Sequence, residues 1–174
     1  MTVELWLVRH GETEWTETGR FCGRSDPDLS EGGRAQARAL REILKVEGFD
    51  SFVSSPWIRA VETARLAYGE PRLDERLAEL DFGELEGARW HDCAPEIRAE
   101  LLAYDTFAAP GGESVKQLSD RVSELLGELG PGRHLLVTHG GVIRLLLGRV
   151  GITEYPAPGS LSRVELDAGI PPPS

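Results

Sequence analysis

The chain has 174 residues, of which 40% are hydrophobic and 28% are charged, so it is long enough to bury one core, and we expect a single domain over residues 1–174. Its formal net charge of −10 would repel a phosphate backbone, and no apolar run is long enough to span a bilayer, so we expect neither nucleic acid nor a membrane as partner. Cys22 and Cys93 lie in no metal-ligand spacing and no signal-like segment follows Met1, so we expect a cytoplasmic protein without a disulfide framework or a zinc site. The pattern does not indicate the oligomeric state.

The N-terminal half predicts alternating strands and helices. The apolar run Leu5-Trp6-Leu7-Val8 is too short for a helix and predicts a buried strand of a parallel sheet, which ends at Arg9-His10. In chain order, the pattern then predicts a functional loop over 13–27, a helix capped at Ser30 and reaching Gly48, a strand over 51–54, and a helix from about Pro56 to Gly69.

The C-terminal half continues the alternation. It predicts a short strand over 72–74, an irregular acidic segment over 75–87, a short helix over 95–104, an amphipathic helix from 113 or 114 to 129, a central strand over 134–137, a buried helix over 141–150, an edge strand over 161–166 and a frayed tail over 170–174. The sequence therefore predicts an α/β fold with a mostly parallel sheet.

Three of these strands end beside chemically useful side chains. The first ends at Arg9 and His10, the second leads to Arg59 in the next helical turn, and the strand ending at Val137 leads to His139. Chemistry is built at the carboxyl ends of parallel strands, so we expect these four side chains to meet at one edge. Guanidinium groups can hold the oxygens of a phosphoryl group, and an imidazole can attack phosphorus, so the cluster indicates phosphoryl transfer.

Protonation of a departing alkoxide requires an acid, and Glu79 is the nearest acidic candidate. Judged by charge alone, Glu79 is one of several acidic residues in its segment and would be interpreted as a solvated carboxylate.

The sequence resembles the histidine phosphatase superfamily, in its phosphoglycerate-mutase-like branch. The resemblance rests on residues 7–15, Gly19-Arg20-Phe21, Asp28-Leu29-Ser30, Ser54-Ser55-Pro56 with Arg59-Ala60, Glu79, Phe82-Gly83, Glu86-Gly87, residues 110–114 and residues 137–141. It runs in order over nearly the whole chain. It implies a three-layer α/β/α sandwich with helices on both faces of a mostly parallel sheet. Within the branch, the chain is similar to the small phosphatase members, such as an α-ribazole phosphatase.

The resemblance also implies roles for individual residues. His10 would be the nucleophile that accepts the phosphoryl group, Glu79 the proton donor and His139 a further catalytic residue. Phosphate would be bound by Arg9, Arg59, Thr16 and Gly140, and substrate by Cys22, Gly23 and Phe82. Trp90 is no part of the resemblance; its place in the irregular region between Glu86 and Pro110 predicts that it lines the substrate mouth. Thr16 stands where the family commonly has asparagine, and Cys22 where glutamine or threonine is frequent. Neither departure removes a catalytic group, but the family pattern no longer indicates the substrate preference at these two positions.

The expected activity is a metal-independent phosphomonoesterase that acts on a small phosphorylated metabolite through phospho-His10. The alternative is a phosphoglycerate mutase using the same pocket, for which 2,3-bisphosphoglycerate would be the cofactor; otherwise no cofactor is expected. A non-catalytic phosphate-binding module would not need His10. The segment Ala88 to Pro110 offers only Arg89 and Arg98 as cations for a second anionic group. It is also too short to cover the pocket and keep water from phospho-His10, which favours hydrolysis. The substrate stays open between α-ribazole phosphate, a sugar phosphate and other small phosphomonoesters.

Overall fold

A computed structural model describes residues 1–167, so the predicted frayed tail over 170–174 lies outside the described residues. The strands are β1 (Thr2–Arg9), β2 (Ser51–Ser54), β3 (Arg72–Leu73), β4 (Gly132–Thr138) and β5 (Leu161–Asp167). The α-helices are α1 (Glu14–Glu17), α2 (Glu31–Leu44), α3 (Ile58–Ala67), α4 (Pro95–Ala103), α5 (Val115–Leu129) and α6 (Gly140–Gly148). Short 3-10 helices cover Glu75–Leu77, Gly83–Leu85 and Trp90–Asp92.

The five strands form one sheet in the order β3-β2-β4-β1-β5. β1, β2, β3 and β4 run parallel to one another, and β5 pairs antiparallel with β1 at one edge. The predicted α/β class and mostly parallel sheet are confirmed, including the central position of β4 and the edge position of β5.

Side chains of β1 alternate between two cores because successive residues of a strand point to opposite faces. Leu5 and Leu7 are fully buried in a cluster with side chains of α5 and α6, such as Leu118, Leu125 and Ile143. Trp6 and Val8 are buried on the other face with side chains of α2 and α3, such as Leu40, Leu44, Ala60 and Ala64. Full burial of a leucine contributes about 1.5–3 kcal/mol. The helices therefore cover both faces, as the three-layer expectation requires.

Several predicted elements differ from the structure in type or extent. The segment 75–87, predicted to be irregular, contains the 3-10 helices Glu75–Leu77 and Gly83–Leu85, and the helix predicted over 141–150 ends at Gly148. The segment 13–27, predicted as a loop, contains helix α1, because Thr13 and Thr16 form a reciprocal capping box. Helix α2 ends at Leu44 instead of reaching Gly48.

The turn after β1 is held against helix α2 by close backbone packing. A Cβ atom on Gly11 would overlap the carbonyl of Gly33, and one on Gly33 would overlap the backbone of Glu12. Ser30 caps α2 by accepting the Gly33 N–H at 3.0 Å. The two glycines therefore fix the position of Gly11, the residue that follows His10.

Within residues 1–167, none of the helices combines the length and the apolar character that crossing a bilayer requires.

Candidate active site

The register of the sheet places two histidines side by side. Arg9 of β1 lies opposite Thr138 of β4, so the residues that follow them, His10 and His139, are neighbours at the carboxyl edge of the sheet. Their ring centroids are 5.2 Å apart and the rings are inclined by 61°. Arg59, in the first turn of α3 after β2, is close enough to influence the pKa of both imidazoles. The structure therefore brings together the four side chains that the strand ends predict.

The His10 ring is oriented by the backbone of the next residue. Its Nδ1 lies 2.7 Å from the carbonyl oxygen of Gly11, and because a carbonyl only accepts hydrogen bonds, this contact assigns the proton of the neutral ring to Nδ1. Nε2 then keeps the lone pair that a nucleophile needs. Burial lowers the pKa of His10 well below its ordinary value of 6.5, and the charges of Arg59 and Arg9 lower it further. The imidazole is therefore neutral at neutral pH.

Arg59 is completely buried and is held by the segment 22–26. Its Nη1 donates to the carbonyl of Ser25 at 2.8 Å and to the carboxylate of Asp26 at 3.0 Å, and its Nη2 donates to the carbonyls of Cys22 and Gly23, both at 3.2 Å. The Cys22 thiol donates to Ser25 O at 3.3 Å, and burial raises the pKa of this thiol to about 11. Cys22 and Gly23 thus support the arginine through their backbones, and contact between them and substrate stays a prediction.

His139 is fixed through a serine hydroxyl. Its Nε2 lies 2.7 Å from Ser55 Oγ. Ser55 Oγ accepts from Trp57 N at 3.4 Å, so its own proton is available to donate to Nε2. We assign the contact in this direction, which leaves the ring proton on Nδ1 and makes Nδ1 a donor. Burial lowers the pKa of His139 well below 6.5, and Arg59, His10 and Arg9 add to this effect.

Three nitrogen atoms of this cluster are buried without a hydrogen-bond partner among residues 1–167. They are Nε of Arg9, Nε of Arg59 and Nδ1 of His139. An unpaired buried polar group costs about 1–3 kcal/mol, and native proteins keep few of them. Three donors at one site, two of them on guanidinium groups, match the oxygens of a phosphoryl group. The cluster is therefore suited to an anion.

Arg9 also contacts the C-terminal part of the chain. Its Nη1 donates to Pro156 O at 2.7 Å, and its guanidinium lies 5.2 Å from the centre of the Tyr155 ring. A Cβ atom on Gly140 would overlap the Tyr155 hydroxyl and approach Arg9, so a larger residue here would displace the Tyr155 side chain. The proposed backbone donor role of Gly140 toward phosphate stays a prediction.

Glu79 is buried and its carboxylate is held by two backbone groups. Leu80 N donates to Oε1 at 2.8 Å, and Gly141 N donates to Oε2 at 3.0 Å. Burial raises the pKa of Glu79 above its ordinary value of 4.5, against the opposing effect of these hydrogen bonds and of Arg9 and Arg59. A carboxyl whose pKa is raised can serve as a general acid.

A cavity of about 520 Å³ opens beside this cluster, and of the site residues Arg9 and Gly141 line it. Glu79 lines a second cavity, of about 480 Å³, together with Glu113 and Arg121. The wall of the first, larger cavity is largely apolar, with Phe21, Phe82, Trp90, Leu101, Leu102, Tyr104 and Tyr155. The ring centroid of Phe21 lies 5.1 Å from that of Phe82 and 6.4 Å from that of Trp90. Phe82 and Trp90 therefore line the cavity where sequence reasoning placed substrate contacts.

Thr16 also lines the cavity, but its hydroxyl is used locally. Oγ1 donates to Thr13 O at 2.9 Å and accepts from Thr13 N at 2.9 Å. Binding of phosphate by Thr16 stays a prediction, because the single hydroxyl proton is already donated.

A family model described as the histidine phosphatase superfamily (branch 1) matches residues 5–167. The chain belongs to the histidine phosphatase superfamily.

The relatives of this chain that carry names include both mutases and a phosphatase. A 2,3-bisphosphoglycerate-dependent phosphoglycerate mutase of Methylobacterium radiotolerans is 37% identical over 190 residues, covering 96% of this chain and 86% of the relative. A crystal structure of phosphoglycerate mutase from Thermus thermophilus has a TM-score of 0.86 and 43% identity, covering 92% of each chain. A mycobacterial glucosyl-3-phosphoglycerate phosphatase has a TM-score of 0.82 and 31% identity, covering 92% of this chain and 91% of its own.

Sequence reasoning missed two residues at the cavity, Tyr104 and Arg144. Tyr104 donates from its hydroxyl to Gly141 O at 2.7 Å and has a φ of 64°, although it only marked the end of a predicted helix. Arg144 lines the same cavity from helix α6. The sequence held one signal for Arg144: it is a charged residue within a helix that was predicted to be buried.

No group of three or more His, Cys, Asp or Glu side chains within residues 1–167 is arranged to hold a metal ion. Metal independence stays a prediction.

Proposed function

We propose that the chain is a phosphomonoesterase that hydrolyses a small phosphorylated metabolite through a phosphohistidine at His10. In the first step His10 Nε2 attacks phosphorus, a P–N bond forms, and the P–O bond to the leaving group breaks. Arg9, Arg59 and His139 Nδ1 stabilise the oxygens of the transferring group, and Glu79 gives its proton to the leaving oxygen. In the second step water attacks phosphorus, the P–N bond breaks, and Glu79 takes a proton from the water.

The observation that carries hydrolysis is the lining of the 520 Å³ cavity. Apart from Arg9, its cations among the described residues are Arg20 and Arg144. Arg20 Nη1 donates to Gly87 O at 2.8 Å, and Arg144 donates to two carbonyls of helix α4 at 2.8 Å while stacking 4.2 Å from the Tyr104 ring. Both guanidinium groups thus have backbone partners, whereas a mutase must hold a second anionic group while its intermediate reorients.

The extent of the cover also supports hydrolysis. Between the 3-10 helix Trp90–Asp92 and residue 110, the only helix is α4, Pro95–Ala103. A small cover gives water access to the phosphohistidine.

A phosphoglycerate mutase is the second candidate, and the names of the relatives favour it. The curated relatives at 32–37% identity carry that name, and so does one of the similar Thermus structures. The same five polar side chains would perform the transfer, with the phosphoryl group returned to a bound acid instead of water.

One preparation assayed in two ways decides between the candidates. We expect inorganic phosphate to be released from a panel of phosphomonoesters much faster than 3-phosphoglycerate and 2-phosphoglycerate are interconverted, even with 2,3-bisphosphoglycerate present. His10→Ala serves as the control for contaminating enzymes in both assays. Isomerisation that outpaces phosphate release would make the mutase assignment correct.

A further inference from the structure

Arg121 of helix α5 binds the backbone around Glu79. Its Nη1 donates to Arg76 O and Ala78 O, both at 2.7 Å, and its Nη2 donates to Glu79 O at 3.1 Å. The Arg121 side chain therefore binds three carbonyls: two that precede the proposed acid in the chain and that of the acid itself.

Glu113 completes this arrangement from the segment before α5. It receives two hydrogen bonds from Arg121, at 2.7 Å from Nε and 2.9 Å from Nη2. It also accepts from Asp81 N at 3.2 Å through its side chain, while its own N–H donates to Asp81 O at 2.8 Å. Arg121 and Glu113 thus hold the chain immediately before and after Glu79.

The segment that carries Glu79 needs such support because residues 78–82 belong to no helix or strand. A general acid must lie within hydrogen-bonding reach of the leaving oxygen, and a displacement of about 1 Å can cost about a hundredfold in rate. The contacts of Arg121 with carbonyl oxygens fix the main chain at Glu79, from which the side chain with its carboxyl group extends. The carboxyl itself is held by Leu80 N and Gly141 N and forms no ion pair with Arg121 among the described residues.

We propose that Arg121, anchored by Glu113, is the positioning residue for the Glu79 general acid. This inference rests on the proposed function, in which Glu79 protonates the leaving group. The five N–H donors of Arg121 are all used by Glu113 and by the carbonyls of Arg76, Ala78 and Glu79. In this proposal Arg121 therefore acts through the backbone of residues 76–79 and leaves no donor for substrate. Its removal should therefore impair the step that needs the acid and spare a substrate whose leaving group needs no acid.

The test compares kcat/KM for an alkyl phosphate with kcat/KM for p-nitrophenyl phosphate. This parameter reports the steps up to formation of phospho-His10, so a slow second step common to both substrates does not hide the effect. The ratio of the two values is independent of the fraction of folded enzyme, because unfolding reduces both equally. Loss of stability alone therefore cannot change the ratio.

Arg121→Met removes all the contacts, and Arg121→Lys keeps the charge beside Glu113 while losing the planar fork. If the methionine variant fails to fold, the lysine variant and Glu113→Gln supply the measurement. Arg76→Met is the matched control, because Arg76 lies on the segment that carries Glu79. Its side chain pairs with Asp74 and with Glu128 and does not contact Glu79. Glu79→Gln provides the reference for complete loss of the acid.

General acid catalysis typically contributes about a hundredfold to ten-thousandfold, so Glu79→Gln should lower the alkyl-to-aryl ratio by about that factor. The Arg121 variants should lower it by about tenfold or more, and Arg76→Met should leave it unchanged. A normal ratio in the Arg121 variants beside a lowered ratio in Glu79→Gln would overturn the positioning role alone. An unchanged ratio in Glu79→Gln would overturn the acid role of Glu79 in the proposed function, and the positioning role with it.

Discussion

Replacement of Arg59 by lysine separates its charge from its geometry. The arginine uses Nη1 and Nη2 for four hydrogen bonds to the segment 22–26 and leaves Nε without a partner within the described protein. A lysine ammonium at this position keeps the charge near Asp26, but it cannot reach both sets of carbonyls and also present a donor at the position of Nε. The variant should therefore lose the phosphate donor and part of the loop contacts.

The two losses have different magnitudes and different assays. Loss of one preorganised donor to a transition state slows catalysis by about a hundredfold to a thousandfold, or about 2.7–4 kcal/mol. Each buried carbonyl left unpaired, here those of Cys22 and Gly23, should lower the free energy of unfolding by about 1–3 kcal/mol. We would measure kcat/KM with a phosphomonoester and the free energy of unfolding by urea denaturation.

Arg65→Lys is the matched control for this substitution. Arg65 lies on the same helix α3, is 58% exposed and pairs with Glu70, so its replacement should change neither quantity measurably. A folded Arg59→Lys protein whose kcat/KM stays within about tenfold of the parent would refute the assignment of Arg59 to the transferring phosphoryl group.

The remaining predictions concern the nucleophile, the metal requirement, protonation and the turn after β1. His10→Ala should abolish turnover, and radiolabelled substrate quenched in base should leave a base-stable, acid-labile label on the parent protein only; a label kept by the variant would place the nucleophile elsewhere. EDTA should leave the rate unchanged, and inhibition reversed by magnesium would contradict metal independence. Because burial lowers the pKa of His10 and His139 well below 6.5, nitrogen-15 NMR at about pH 6 should show both imidazoles neutral, and imidazolium signals from either would contradict this. Gly33→Ala should lower the free energy of unfolding by about 1–3 kcal/mol in urea denaturation, because its Cβ would overlap the Glu12 backbone; an unchanged value would mean that this packing relaxes freely.

The elements that sequence reasoning predicted well are those fixed by local patterns. Ser51–Ser54 and the start of α5 after Ser114 agree with the structure because a short apolar run and N-cap chemistry are read from adjacent residues. Helix α1 was missed because threonine, instead of glutamate or glutamine, closes the capping box at Thr16.

The supporting contacts of the site could not be predicted, since they join distant parts of the chain. Arg121 binds carbonyls 42 to 45 residues earlier, and Tyr104 reaches Gly141, 37 residues later. No periodicity or spacing in the sequence records such pairs. The family position selected Glu79, whereas only the structure shows what surrounds it.

Burial of the whole cluster has one electrostatic consequence that serves two opposite roles. Taking a titratable group out of water favours its neutral form, so burial lowers the pKa of His10 and raises the pKa of Glu79. The nearby arginines reinforce this effect at His10 and oppose it at Glu79. A bound phosphoryl dianion would offset the arginine charges, which would remove the opposition and raise the pKa of Glu79 further. The same anion that His10 attacks would therefore help to keep Glu79 protonated until the leaving oxygen needs its proton.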